Sequence, residues 1–415
     1  MKKVIFIYYH FPPLLGDWRG LGFVKFLPDF GWQPIVVSAS ETVNYAKDYN
    51  LLRGIPKGIA IHRVGHREVP LRWQWYYQYA REKLRVNFDF PDIYKTWYNP
   101  ALREARKILQ KEKVDLIFTS CSPFTSAFVG MKLQKEFNLP WVCEFRDPWS
   151  ENDLLNRHLE RTLLKPLRSL LKSRIRRAEG KIGRCANKTI VVSWQHKQRL
   201  HELHKIEEEK IEVVTNGYDE LEFVSLKPFT LYPDKLNITF LGSFYPEFLD
   251  IILKFLDVSD EVSNHSAEVI FIGRGAASLE NINKNNLTRI LHVPKEKALA
   301  FALGSDFLLL IMPAFAKWIP MKIYEYLRIG KPVLALVPED GDATKIIREA
   351  KAGFILSYEQ EEMKQQLGAI FRQWDQGGFK NFSPQQQYVN QFERRKLAEK
   401  LANIFDEIAG KSVLA

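Results

Sequence analysis

At 415 residues the chain exceeds the size at which one hydrophobic core usually stops growing, so two domains of roughly 200 residues each are expected. Its 46% hydrophobic and 26% charged residues exclude a long disordered tail or a collagen-like repeat, and no stretch reaches the ~18 apolar residues of a transmembrane helix. The net charge of +11 is concentrated: residues 157–188 hold eleven Lys or Arg against Glu160 and Glu179, a local excess of +9.

The first apolar run, Val4-Ile5-Phe6-Ile7-Tyr8-Tyr9, follows Met1-Lys2-Lys3 and ends in His10-Phe11-Pro12-Pro13. It is too short for the core of a signal peptide and predicts a first buried strand. Further β-branched, apolar runs at 34–38, 60–64, 114–119, 141–144 and 189–193 alternate with helical stretches such as 21–30, 100–112 and 126–137. The pattern then restarts, with strands expected at 211–215, 236–241, 268–272, 289–292, 307–311, 332–336 and 353–356. The final stretch, 386–409, reads as helix. This alternation predicts an α/β protein of two Rossmann-like domains, 1–195 and 205–385, with a hinge near 193–210 and a C-terminal helix, 386–415, returning to the first domain. Ligands of open α/β sheets bind beyond the carboxyl ends of the strands, so a cleft between two such facing sheets is the default site.

Cys121, Cys143 and Cys185 are widely spaced and lack the C-x-x-C geometry of a zinc site or redox dithiol, so they read as reduced cytosolic thiols. Within 157–188, Leu159, Leu163, Leu167 and Leu170 recur at helical spacing while Arg161, Lys165, Arg168, Lys172 and Arg176 fall between them. A basic amphipathic helix follows, either a surface helix with its leucines on the core or one drawn to an anionic membrane surface. Arg72-Trp73-Gln74-Trp75-Tyr76-Tyr77-Gln78-Tyr79 interleaves aromatics with a cation in the same half, as interfacial segments do. No nucleic-acid motif accompanies these surfaces, which argues against nucleic acid as a partner.

Several strand-to-helix loops are competent to bind phosphate. The loop containing Gly16 precedes a helix near Leu21; Gly242-Ser243 follows a strand of the second half; Gly273-Arg274-Gly275 follows the next and adds a guanidinium. Each alone serves equally well as a turn. More specific is Pro320-Met321-Lys322-Ile323-Tyr324-Glu325, leading through Gly330 to Lys331-Pro332. Pro320 and Gly330 bracket a short helix with Lys322 at its positive N-terminus, where a purely structural lysine is disfavoured and a phosphate is welcome. Glu325 lies one turn on, where a carboxylate can accept from a ribose diol. Asp147, in Cys143-Glu144-Phe145-Arg146-Asp147-Pro148-Trp149, is either a turn or cap carboxylate or one that orients or deprotonates an acceptor hydroxyl.

Taken in order, Tyr8-Tyr9-His10-Phe11-Pro12-Pro13, Phe90-Pro91-Asp92, Phe145-Arg146-Asp147-Pro148-Trp149, Val191-Val192-Ser193, Thr215-Asn216-Gly217-Tyr218-Asp219 and the 322–332 segment resemble the GT4-type family of retaining glycosyltransferases, most of all its bacterial exopolysaccharide and cell-surface glycan branch. The resemblance implies a GT-B fold, a UDP- or GDP-sugar donor on the C-terminal domain, and a glycan or lipid-linked acceptor on the N-terminal domain. It implies that Glu325 binds the ribose, that the Gly16 and Gly242-Ser243 loops flank the diphosphate, and that Lys322 neutralises it. It also implies that no metal or other cofactor is needed. The chain departs from the family pattern at Lys317, which stands where the first of two paired glutamates is usual, and in Tyr245-Pro246-Glu247-Phe248, which lacks the usual Arg and Lys.

The reading that follows is a retaining glycosyltransferase, cytoplasmic or peripheral on the inner face of a membrane. Lys322 and Arg274 are assigned to the diphosphate, Glu325 to the ribose, Val293 and its neighbours to the base, and Asp147 with Arg146 to the acceptor side, with Asp147 and Lys322 as the catalytic pair. The alternatives on the same fold are a nucleotide-sugar epimerase or hydrolase, and a non-catalytic binding subunit.

Overall fold

The computed structural model describes residues 1–15, 18–66, 90–152, 165–243, 248–263, 266–291 and 293–411. The chain forms two compact units: Met1–Thr215 with Arg394–Ala415, and Asn216–Glu393.

In the first unit seven parallel strands run β3-β2-β1-β4-β5-β6-β7. They are β1 (Lys2–Ile7), β2 (Trp32–Ala39), β3 (Ala60–Val64), β4 (Leu116–Cys121), β5 (Trp141–Phe145), β6 (Lys188–Val191) and β7 (Ile211–Val213). Successive side chains of a strand point to opposite faces, and here both faces are apolar. Ile5, Ile7, Val37, Ile117 and Cys143 join one cluster with Ala101 and Ala105 of α2 (Tyr98–Lys111) and with Ala127 and Leu133 of α3 (Thr125–Phe137). Val4, Phe6, Val36, Phe118 and Val142 join the other, with Phe23 and Val24 of α1 (Trp18–Phe26). Gly130 lets α3 approach closely, since a Cβ there would meet Thr119 at 2.4 Å and the Trp141 ring at 2.7 Å.

β7 completes this sheet by pairing with β6, and the unit continues to Thr215. The expectation that the first domain ends at 195 and that 211–215 opens the second is thus not the arrangement seen. Residues 194–204 form α5 (Trp194–His204), whose buried Leu200 joins the core of the first unit, so the stretch read as a hinge is packed structure. The C-terminal helix divides likewise. Its first piece, Gln386–Asn390, belongs to the second unit, whereas Leu397, Leu401 and Phe405 of the last helix, Arg394–Lys411, pack on α1 and on Trp32.

An ion pair sits inside this unit. Arg19 of α1 places Nε 2.7 Å from Glu144 of β5, with the two side chains 5% and 0% exposed. Ser120 donates to the other Glu144 oxygen at 2.6 Å, and Arg19 also donates to the carbonyls of Val214, at 2.6 Å, and Thr215. The motif residue Asp92 has a structural task as well, accepting from both the amide and the hydroxyl of Thr125 at 2.8 Å where α3 begins.

The basic helix α4 is described over Lys165–Cys185. Ile175, Gly180, Ile182 and Gly183 are buried, but Leu167 is 41% and Leu170 62% exposed. Leu159, Leu163 and the aromatic segment 72–79 lie outside the described residues.

The second unit is a parallel sheet in the order β10-β9-β8-β11-β12-β13. Its strands are β8 (Leu236–Leu241), β9 (Ala267–Ile272), β10 (Leu287–Ile290), β11 (Phe307–Ile311), β12 (Val333–Leu336) and β13 (Gly353–Ile355), with α6 (Leu249–Val262) between β8 and β9. Strand order reverses between β8 and β11, the point at which such sheets open a crevice at their carboxyl ends. One helix is pinned there: α8 (Lys322–Ile329) carries the buried Tyr326, whose hydroxyl accepts from the Leu241 amide at 2.9 Å and donates to the Leu309 carbonyl at 3.2 Å.

Candidate functional site

The site in the second unit is built outward from this crevice. β8 ends at Leu241, and Gly242 follows at φ +102°, a backbone conformation that residues bearing a Cβ rarely adopt. Its amide donates to the Ile272 carbonyl at 2.7 Å, and its carbonyl accepts from Gly275 at 3.2 Å. Gly273, just past β9, stands at φ +114°, and a Cβ there would lie 3.0 Å from the Gly242 carbonyl oxygen. The two turns are therefore in contact, and glycine at 273 is what lets them pack so closely. Ser243 and Arg274 are exposed beside them, Arg274 opening the turn Arg274–Leu279.

Lys322 begins α8 and extends over the Phe240 ring, with its ammonium 3.4 Å from the ring centroid. The same nitrogen is 3.7 Å from where a Cβ on Gly242 would stand. Burial drives its pKa from 10.5 down to about 7, with Glu325 pulling the other way. Among the described residues no carboxylate forms an ion pair with it. A lysine held at a helix N-terminus and against a glycine turn, with the Phe240 face and the nearby Glu325 charge but no ion-paired carboxylate among the described residues, keeps capacity for a further anion. That is the electrostatic description of an anion site.

Glu325 is not left free. Its Oε1 lies 2.8 Å from the ammonium of Lys295, which is also 2.7 Å from Glu222. Lys295 is the first residue of α7 (Lys295–Leu303), and Val293 stands just ahead of it, partly exposed. Sequence reading assigned Glu325 and Val293 but passed over Lys295 and Glu222, and the only signal for Lys295 was its place in a strand-to-helix turn. Lys317, at the departure from the family pattern, is exposed.

In the first unit, Arg146 donates to the carbonyls of Cys121, at 3.4 Å, and Ser122, and lies 5.5 Å over the Tyr8 ring. It clamps together the ends of three strands. Asp147 next to it is exposed. His10, unassigned from sequence, is held neutral there: burial, then the nearby Arg146, depresses its pKa to about 3. Gly16 lies outside the described residues. Among the described residues no group of three His, Cys, Asp or Glu side chains is placed to hold a metal ion, and no helix is long and apolar enough to cross a membrane.

Residues 23–220 match the family model described as Glycosyltransferase Family 4, so the resemblance read from the motifs is shown over most of the first unit. A comparison with curated proteins found no match. Among solved structures, a glycosyltransferase from Rickettsia africae ESF-5 is 18% identical over 98% of both chains, with a TM-score of 0.60. HepE from Anabaena, in complex with UDP, is 13% identical over 100% of this chain and 99% of its own, with a TM-score of 0.55. UDP-GlcNAc 2-epimerase from Methanocaldococcus jannaschii, in complex with UDP-GlcNAc and UDP, is 13% identical over 98% and 100%, with a TM-score of 0.50. The fold is that of GT-B glycosyltransferases: two parallel sheets with interleaved helices.

Proposed function

We propose that this GT4-type chain is a retaining glycosyltransferase that moves a sugar from a UDP- or GDP-sugar to a glycan or lipid-linked acceptor, in the synthesis of a cell-surface polysaccharide. The observation that carries this reading is Lys322, a desolvated ammonium at a helix N-terminus beside the Gly242 turn. The reaction leaves a nucleoside diphosphate, and its developing charge is what such a site stabilises without reorganisation. Lys322, Arg274 and Ser243, beside the two glycine turns, receive the diphosphate. Glu325 takes the ribose and Val293 with its neighbours the base. The acceptor hydroxyl attacks C1 on the face that the diphosphate leaves, with Asp147 orienting or deprotonating it and Arg146 fixing the strand ends around it. In this reading side chains and helix dipoles supply the positive charge, and no metal takes part.

The membrane reading of α4 belongs here too. Its exposed Leu167 and Leu170, flanked by Arg168, Lys172 and Arg176, support attachment to an anionic surface, each basic residue there being worth on the order of 1 kcal/mol. Exchanging the three cations for Gln should abolish co-sedimentation with anionic vesicles at low salt; binding that persists would sink the idea.

Thermal stabilisation by a panel of nucleotides and nucleotide sugars tests the main reading, since a ligand that binds only the folded state raises the melting temperature. A shift with UDP or GDP is expected, and none with any nucleotide would refute it. The similarity to the epimerase keeps one rival in play. Sugar converted to its epimer with no acceptor present would select that rival; transfer with the anomeric configuration kept selects the transferase.

A further inference from the structure

Lys295 stands where a helix disfavours a lysine, at the first position of α7 and the positive end of its dipole. What holds it there are two carboxylates from separate segments, Glu222 at 2.7 Å and Glu325 at 2.8 Å. The three side chains are 18–30% exposed, and pairs of that exposure add little to stability. Their value is therefore positional. Only Pro294 separates Lys295 from Val293, and Leu291 at the other end of this short segment is 60% exposed.

We propose that Lys295 is a positioning residue that fixes the Glu325 carboxylate for a ribose hydroxyl and ties it to the 291–294 segment, so that the site selects a complete nucleoside diphosphate over a bare diphosphate. The inference rests on the donor reading given above. With Oε1 held by the ammonium, Glu325 presents Oε2 in one direction as an acceptor. Without Lys295 the carboxylate regains its rotamers, and the entropy of fixing it is lost again each time a nucleoside binds. A bare pyrophosphate engages Lys322 and the glycine turns but has no ribose or base, so it is blind to this arrangement.

The test titrates the full chain and its Lys295→Met and Lys295→Arg variants with UDP, GDP and pyrophosphate by calorimetry. Lys295→Met should weaken the nucleoside diphosphate on the order of tenfold, as for one lost charge-assisted contact, and leave pyrophosphate unchanged. Lys295→Arg should restore most of the loss. Nucleoside diphosphate binding that is unchanged in Lys295→Met overturns the inference while leaving the donor reading intact. Equal weakening of nucleoside diphosphate and pyrophosphate also overturns it, by assigning Lys295 a general electrostatic effect. If the unaltered chain binds pyrophosphate but neither UDP nor GDP, the donor reading itself falls.

Discussion

Replacing Lys322 with Met is expected to abolish nucleoside diphosphate binding and to raise the melting temperature. The two effects share a cause. The ammonium lies against the glycine turn and over Phe240, and burial lowers its pKa to about 7, so the fold disfavours its charge. A methionine of similar length fills the same space without that penalty, and each kcal/mol recovered is about 2–4 °C for a unit of this size. Functional residues that strain their surroundings behave in this way. Calorimetric scans with and without UDP or GDP decide the matter. A variant that still responds to nucleotide removes Lys322 from the site, and one that melts lower assigns it a structural role.

The pH dependence follows with a definite sign. The unfolded lysine titrates near 10.5 and the folded one at about 7, so between these values the unfolded state holds the extra proton and stability rises with pH. The penalty from Lys322 is fully present below pH 7 and gone above 10.5, so the advantage of Lys322→Met should be largest in mildly acidic buffer. Ligand binding runs the other way. A bound diphosphate favours the ammonium, so above pH 7 binding takes up a proton and affinity should fall as pH rises. Titrations at pH 6, 7, 8 and 9 check this, and a flat profile would separate Lys322 from the diphosphate.

Lys322 was legible in the sequence because its signal is local: Pro320, a short amphipathic turn and Gly330 fix a helix, and the helix fixes the dipole at its first residue. The strands were legible for the same reason, as runs such as Val4-Ile5-Phe6-Ile7 need only their own neighbours to be read as buried. What escaped depends on distant pairings. That β7 belongs to the first sheet is decided by β6, twenty residues earlier, and by nothing in Ile211-Glu212-Val213 itself. Lys295 gains its meaning from Glu222 and Glu325, one on either side in the chain. His10 stands within the motif Tyr8-Tyr9-His10-Phe11-Pro12-Pro13, yet its burial and its neighbour Arg146 come from the fold. In Cys143-Glu144-Phe145-Arg146-Asp147 the sequence offers Asp147 as the reactive carboxylate, whereas the carboxylate the fold buries is Glu144, whose partner Arg19 is 125 residues away.

Glu144→Ala should therefore be among the most destabilising single changes in the first unit. It leaves the Arg19 guanidinium, 5% exposed, with the carbonyls of Val214 and Thr215 and the Phe23 ring but, among the described residues, no counter-ion. Breaking one side of a buried pair costs about 3–5 kcal/mol, because the remaining charge has neither water nor a counter-ion. That is a large part of the ~5–15 kcal/mol by which domains are stable. The denaturant midpoint of the first unit should fall sharply, and Ser120, which also leans on Glu144, should lose its partner with it. The double variant Arg19→Met/Glu144→Leu separates this account from simple loss of packing. Removing both charges while keeping apolar volume should recover most of the midpoint, since desolvation offsets much of what the pair gains. If the double variant is no more stable than Glu144→Ala, the pair does more than cancel its own charges. Its contacts to Val214 and Thr215, the last residues before the chain enters the second unit, would then be what the first unit depends on.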